Sequence, residues 1–283
     1  MSETSNGFPR PGGLSIATVT LGGSLSRKLH AAAEAGFSCV ELCQPDLAAS
    51  GWSPALTRAV AGSLGLAITV WQPLHGFEGT NPRQATRLYA LSAARQAARL
   101  CTELGARTLI ACSNTRPDAV DDDALAVQQL RELADLAAAD GISVGFEALS
   151  WGTWISTTGH AWALVAAAGR DNLGICLDSF HFGVRGEDPA VIRAIPGAKI
   201  AAVQLAGAAR VLPGLGFRER SRHYRALPGR SEAAFTEAVR ATGYAGTWGP
   251  EVFSDVLQAR DPYETAVAAM ASLDALGLVP SAV

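Results

Sequence analysis

Short apolar runs alternate along this chain with longer segments in which Ala and Leu recur every third or fourth position. The short runs are 14–20, 38–42, 66–72, 107–112, 142–147, 173–178, 199–204 and 246–251. Gly, Pro and polar residues bound them, which reads as buried strands. The longer segments, 25–35, 54–64, 82–104, 121–139, 158–168, 189–194, 231–242 and 262–276, read as helices with apolar stripes and polar backs. Gly36 and Gly105 close two of them, and Asp121, Asp122 and Asp123 open a third, where the helix dipole favours anions. Strand and helix alternate at a spacing of about 25–40 residues, the size of one βα unit. The α/β pattern therefore predicts a (β/α)8 TIM barrel over residues 14–283 as a single catalytic domain. A doubly wound open sheet would need a phosphate-binding glycine fingerprint after its first strand, and Thr20-Leu21-Gly22-Gly23-Ser24 does not supply one.

Composition narrows the picture. The chain has 283 residues, 48% hydrophobic and 17% charged, enough for one large core. A net charge of −3 offers no basic surplus for a nucleic-acid partner. No apolar run is long enough to cross a bilayer, so no membrane partner is expected. Residues 1–13 are polar and rich in Gly, Ser and Pro, without the basic start and apolar middle of a signal peptide. They read as a disordered lead-in to a cytoplasmic protein. The five cysteines, Cys39, Cys43, Cys101, Cys112 and Cys176, form no CxxC pair and read as reduced core residues. Nothing in the sequence decides against a homo-oligomer.

The candidate chemistry lies at the C-terminal ends of the last four apolar runs. They close on Glu147, Asp178, Gln204 and Glu251. Side chains alternate along a strand, so Glu147 shares a face with Gly145 and Ser143, and Asp178 with Cys176 and Gly174. Gln204 shares one with Ala202 and Ile200, and Glu251 with Gly249 and Thr247. The opposite rows hold Val144, Phe146, Ile175, Leu177, Val203 and Trp248, bulky enough to face helices. Three carboxylates meeting in a barrel mouth repel unless protonated or bound to a cation. An all-oxygen set favours Mg2+ or Mn2+ over softer metals, with Co2+ a further candidate. Any one of these residues alone could equally cap a strand; four in succession, phased inward, argue for a metal centre.

Around them stand further candidates. His181, three residues past Asp178, has a side chain whose usual pKa of about 6.5 suits general base work. Glu41 ends the inward row of the second strand, either against the ligands and substrate or as an acceptor at a helix start. Arg222 and His223 lie in the long Arg-rich segment 207–230, with Arg210, Arg218, Arg220, Arg225 and Arg230. That segment is either a binding site for an anionic group or solvated surface. His75 and Glu78 lie on the other long connection, 74–81, as weaker candidates, and His30 and His160 read as structural.

The motifs Gly36-Phe37 with Val40-Glu41, Gln72-Pro73 with Phe77-Glu78-Gly79, and Cys112-Ser113-Asn114 carry a family resemblance. So do Phe146-Glu147-Ala148-Leu149-Ser150-Trp151-Gly152, Leu177-Asp178-Ser179-Phe180-His181, Val203-Gln204-Leu205-Ala206, Ser221-Arg222-His223-Tyr224-Arg225 and Glu251-Val252-Phe253. The chain resembles the xylose-isomerase-like barrel superfamily, and within it the bacterial 3-dehydroshikimate dehydratases. The resemblance implies a metal held by Glu147, Asp178, Gln204 and Glu251, with His181 beside the substrate. It implies a carbon–oxygen lyase of aromatic catabolism that dehydrates 3-dehydroshikimate to protocatechuate through a metal-stabilised enolate. His181, Glu147 and Glu251 would do the chemistry; Glu41, His75, Arg222 and His223 would contact a small anionic polyhydroxy substrate. Departures fall in the substrate loops: Leu74-His75 stands where the family commonly has an aromatic residue and an arginine, Gly207 where it has an aspartate, and Arg230 in its Pro-Gly-Gln-Gly motif. A sugar or inosose isomerase, epimerase or dehydratase is the alternative, although ketose epimerases of this superfamily typically place a histidine at the position of Gln204. An apurinic endonuclease of the same fold would want more histidines and a basic face.

Overall fold

Strands that are apolar on both faces are stable only with both faces covered, and a barrel ringed by helices does that. The computed structural model describes residues 13–208 and 214–279. One parallel sheet runs in chain order through β1 (Ser15–Ala17), β2 (Cys39–Cys43), β3 (Ala67–Leu74), β4 (Thr108–Cys112), β5 (Ser143–Glu147), β6 (Leu173–Asp178) and β7 (Ile200–Leu205). A small antiparallel hairpin, β8 (Gly207–Ala208) with β9 (Arg225–Ala226), precedes the last barrel strand, β10 (Trp248–Pro250). β10 pairs with β7, and a parallel bridge between Leu14 and Trp248 brings it back beside β1. The expected (β/α)8 barrel is the fold. The expected lead-in 1–13 lies, apart from Gly13, outside the described residues.

The hydrophobic core has two layers. Val144, Phe146, Ile175, Leu177 and Val203 pack outward under the helices, as the alternation predicted. Val70, Ile110, Cys112, Cys176 and Ala202 fill the barrel interior. Ile200 departs from the expected inward row and joins the outer layer. The cause is a register shift between β6 and β7: Ile175 pairs with Ile200 but Cys176 pairs with Ala202. Counting back by twos from Gln204 therefore fails below Ala202. Ala201 turns toward Gly145 instead; a Cβ built on that glycine would lie 2.9 Å from the Ala201 Cβ and 2.8 Å from Ile110 Cδ1.

Other boundaries differ from expectation for local reasons. The first run stops being a strand at Ala17, where the chain tightens into a 3-10 turn, Thr18–Thr20. Its hydroxyls take over the backbone bonding: Thr18 Oγ1 accepts from the Cys43 N–H (3.1 Å), and Thr20 Oγ1 donates to the Pro250 carbonyl (3.2 Å). Four short helices, Gln44–Ser50, Ser179–Arg185, Phe217–His223 and Asp255–Gln258, are too brief for a hydrophobic period to announce them. Segment 74–81 is pinned rather than loose. Arg87 Nη1 donates to the Phe77 carbonyl (2.9 Å) and to Thr80 Oγ1 (3.0 Å), while Glu78 accepts from the Asn114 N–H (2.5 Å). Of the Arg-rich segment, residues 209–213, with Arg210, lie outside the described residues, and the rest holds both strands of the hairpin and the helix Phe217–His223.

Candidate active site

The barrel delivers its polar residues to one end. Glu147 and Asp178 are the last residues of β5 and β6, Gln204 is next to last in β7, and Glu251 directly follows β10. Glu41 lies within β2. All five are buried. Their phase is the one the alternation implied, since Cys112, Cys176 and Ala202 beneath them belong to the interior layer. Two thiols support them from below: Cys112 Sγ donates to Glu147 Oε2 (3.1 Å) and Cys176 Sγ to Gln204 Oε1 (3.2 Å). Burial, then the nearby carboxylates, pushes both thiols well above their ordinary pKa, so they act as neutral donors.

Two amides tie the carboxylates together across the barrel. Gln204 Nε2 donates to Glu41 Oε1 (2.5 Å) and lies 3.3 Å from Glu251 Oε1. Gln72 Nε2 donates to Glu41 Oε1 and to Glu251 Oε1 (2.6 Å). Gln72 is a site residue that sequence reading passed over. It stands two residues beyond interior Val70 on β3, so the same alternation argument would have found it.

The buried cation is Arg225, also passed over, although it stands in the Ser221-to-Arg225 motif. Its guanidinium is spent entirely on its neighbours. Nη1 donates to Asp178 Oδ2 (2.7 Å), Glu251 Oε2 (3.0 Å) and the Glu251 carbonyl (3.1 Å). Nη2 donates to Ser221 Oγ (2.8 Å) and meets His181 Nε2 at 3.1 Å, and Nε donates to the Ser221 carbonyl (2.9 Å). Phe180 and Phe253 cover its faces, at 4.7 Å and 5.1 Å from the ring centroids. This arrangement decides the histidine tautomer. Arg225 can only donate, so Nε2 accepts from it and the His181 proton goes to Nδ1, toward Ser150 Oγ at 3.0 Å, with the Ser150 N–H a longer 3.3 Å from the same nitrogen. Nε2 also lies 3.6 Å from Glu147 Oε1 and 3.7 Å from Asp178 Oδ2.

Electrostatics follow from burial. Burial, then Glu251, lifts Glu41 to about 8. Burial raises Glu251 to about 7 against the pull of Arg225, and lifts Glu147 well above the usual carboxylate range, with Glu251 and Asp178 adding to it. Asp178 is the exception. Burial opposes its charge, but Arg225 and His181 outweigh it and hold the pKa below normal. His181 is lowered to about 3, chiefly by burial, with Arg225 adding and Asp178 opposing; the ring is neutral at neutral pH.

Above this floor opens a cavity of about 210 Å3 lined by Glu147, Glu251, His181, Gln72, Arg225, Trp151, Phe253 and residues of the rim. Of the residues expected to touch substrate, His75 and Arg222 line it. His223 does not; its Nδ1 lies 3.0 Å from Asp255 Oδ1 at the surface. Glu41 lies behind the lining residues, within the amide network. Glu78 belongs to the pinned segment, not the cavity. His30 bonds the Ser26 carbonyl (2.9 Å), and His160 bonds Asp123 (2.8 Å), both remote from it.

The donors fit a divalent metal ion. Among the described residues, Glu147, Asp178 and His181 offer ligand atoms within 4.8 Å of one another. Glu251 is joined to Asp178 through Arg225, and the Gln204 amide lies against Glu251. Four buried carboxyls share a single guanidinium and three of them have raised pKa values, so a cation would take the place of the protons they hold near neutrality.

The fold and this centre define a (β/α)8 barrel with a buried carboxylate–imidazole site at the C-terminal ends of its strands, where barrel enzymes work. The family model for the xylose isomerase-like TIM barrel matches residues 29–275, and the chain belongs to that family. It is 40% identical over 262 residues to a 3-dehydroshikimate dehydratase of Pseudomonas putida, covering 92% of this chain and 41% of that protein. The chain thus spans about two fifths of the length of that curated relative. A solved xylose isomerase-like TIM barrel/4-hydroxyphenylpyruvate dioxygenase fusion protein superposes with a TM-score of 0.88 at 40% identity, over 93% of this chain and 42% of that one. The zinc-binding IOLI protein superposes at 0.85, over 95% of this chain and all of that one; its 19% identity speaks for the fold alone. Among the described residues, no helix is long and apolar enough to cross a membrane.

Proposed function

We propose that the protein is a divalent-metal-dependent dehydratase that removes one molecule of water from 3-dehydroshikimate to give protocatechuate. The observation that carries this reading is a buried neutral imidazole that lines the cavity, its Nε2 beside Glu147 and Asp178 and in contact with Arg225. It sits on a barrel 40% identical to 3-dehydroshikimate dehydratases over nearly all of this chain. Glu147, Asp178, Gln204 and Glu251 would hold the ion, and their hard oxygen atoms suit Mg2+ or Mn2+, with Co2+ a further candidate. When bound, a divalent cation would polarise the substrate ketone and so acidify the neighbouring carbon.

The chain's own residues do the rest. His181 takes the proton from that carbon at Nε2 once its contact with Arg225 Nη2 opens. Its Nδ1–H is already committed to Ser150, so the ring is held in the productive tautomer. Glu147 Oε1 and Asp178 Oδ2 stand close enough to stabilise the imidazolium that forms. The imidazolium returns the proton to the departing hydroxyl, which leaves as water, and the ring then becomes aromatic. Glu251 and Gln72 fix the far side of the floor. The protein would act in the cytoplasm on a small anionic polyhydroxy substrate, without a nucleic-acid or membrane partner.

The test is to strip the protein with a chelator, restore Mg2+ or Mn2+, add 3-dehydroshikimate and follow the aromatic product by absorbance. Product should form only with metal, and His181→Ala should cut kcat by about 10²–10⁴-fold while the fold persists. Turnover of inososes or ketoses with none of 3-dehydroshikimate would assign the isomerase-like alternative.

A further inference from the structure

The cavity is not uniform in charge from floor to rim. At the floor stand Glu147 and Glu251, backed by Glu41 and Asp178. The one buried cation there, Arg225, has every N–H engaged by Asp178, Glu251, Ser221 or His181 and offers no donor to a ligand. At the rim stand His75 and Arg222, both exposed. Among the described residues, neither has a hydrogen-bonded or ion-paired partner. Asp46 lines the same wall, but Lys28 matches its charge at 2.7 Å. Between floor and rim the wall is largely apolar, with Val19, Pro73, Leu149, Trp151 and Phe253.

We propose that this polarity fixes the direction in which substrate enters: the carboxylate stays outward between His75 and Arg222, and the reacting oxygens point inward to the floor. The proposal rests on the dehydratase reading of the same cavity. A carboxylate carried to the floor would add a fifth to the four there, whose charge one divalent ion and Arg225 only partly offset. At the rim it meets a planar fork of N–H donors that matches it in shape and charge. His75 and Arg222 are close enough to feel each other, since partial burial of the imidazole and then the Arg222 charge lower the His75 pKa. An anion placed between them would relieve that repulsion. Specificity for an acid over its uncharged counterpart would thus reside in two rim residues. The apolar middle would accept the ring without distinguishing the ends.

The experiment compares protocatechuate with catechol, the same ring without its carboxylate, by calorimetric titration of the full chain. The metal-loaded wild type should bind protocatechuate at least about tenfold more tightly than catechol. His75→Gln with Arg222→Ala should erase that ratio and leave catechol binding within about twofold, and Arg222→Lys should restore part of it. In turnover the double variant should raise KM for 3-dehydroshikimate with kcat within about threefold, as loss of uniform binding requires. Thermal melts verify that the variants fold. Undiminished carboxylate preference in the double variant, or none in the wild type, overturns the proposal. If 3-dehydroshikimate is not turned over but the ratio still collapses, the orientation stands and the dehydratase reading falls.

Discussion

Replacing Arg225 with alanine removes the one buried cation facing four buried carboxylates. Asp178 and Glu251 lose donors at 2.7 Å and 3.0 Å, and His181 Nε2 loses its partner at 3.1 Å. Breaking a buried ion pair by deleting one partner costs about 3–5 kcal/mol, because the remaining charge is stranded away from water. The loss here should fall at the upper end without metal, since two carboxylates share the one guanidinium. Arg225→Lys should recover only part of it, since three donors on one nitrogen cannot span acceptors on Ser221, Asp178, Glu251 and His181. A divalent cation supplies the missing positive charge, so saturating Mn2+ should stabilise the alanine variant by more than it stabilises the wild type. The acid limb should move as well. Arg225 holds the Asp178 pKa below normal, so that stabilisation is present above the ordinary aspartate value and is lost as pH falls through the lowered one. Without Arg225 the loss should begin at higher pH. Urea unfolding with and without metal, across pH, measures all of this. A metal-free alanine variant within about 1 kcal/mol of the wild type would refute the view that Arg225 neutralises the floor.

Three further outcomes are expected. Glu78 is raised by burial from 4.5 to about 7. Its contribution is therefore present in full below pH 4.5 and lost as pH rises through about 7, up to about 3 kcal/mol by linkage. Glu78→Gln should flatten that part of the stability–pH curve, and an unchanged difference in unfolding free energy between pH 5 and 8 would count against the shift. Gly145→Ala forces a methyl against Ile110 and Ala201 and should cost about 1–3 kcal/mol in chemical denaturation, whereas equal stability would mean that the interior has slack. Burial, then their neighbours, sets the pKa of Glu41 at about 8 and burial that of Glu251 at about 7, so protons compete with a metal near neutrality. Apparent Mn2+ affinity should climb between pH 6 and 8 in calorimetric titrations; a flat profile would show that these carboxyls do not take part.

The eight strands could be read from the chain because each is a compact apolar run punctuated by Gly, Pro or polar residues, and burial on both faces leaves a strong local trace. Glu147, Asp178, Gln204 and Glu251 could be found for a related reason: strand phase and strand end are local properties, and together they fix which face a residue takes. Ile200 shows where that logic stops. A register shift is a property of a strand pair, so no count along one strand detects it. The short helix Ser179–Arg185 was hidden for another reason, since it is held by the Asp178 side chain accepting from the Phe180 N–H (2.7 Å) rather than by an apolar period.

Sequence alone thus determined the barrel, the strand-end carboxylates and the nearby histidine, because each follows from periodicity within a few consecutive residues. Which cation stands among those carboxylates was decided only by tertiary structure. Arg222, His223 and Arg225 are near neighbours in one Arg-rich segment, and nothing local separates a buried arginine from a rim arginine or a surface histidine. Only the path of the chain from the helix Phe217–His223 into β9 drives Arg225 between Asp178 and Glu251, leaves Arg222 at the cavity mouth and turns His223 toward Asp255.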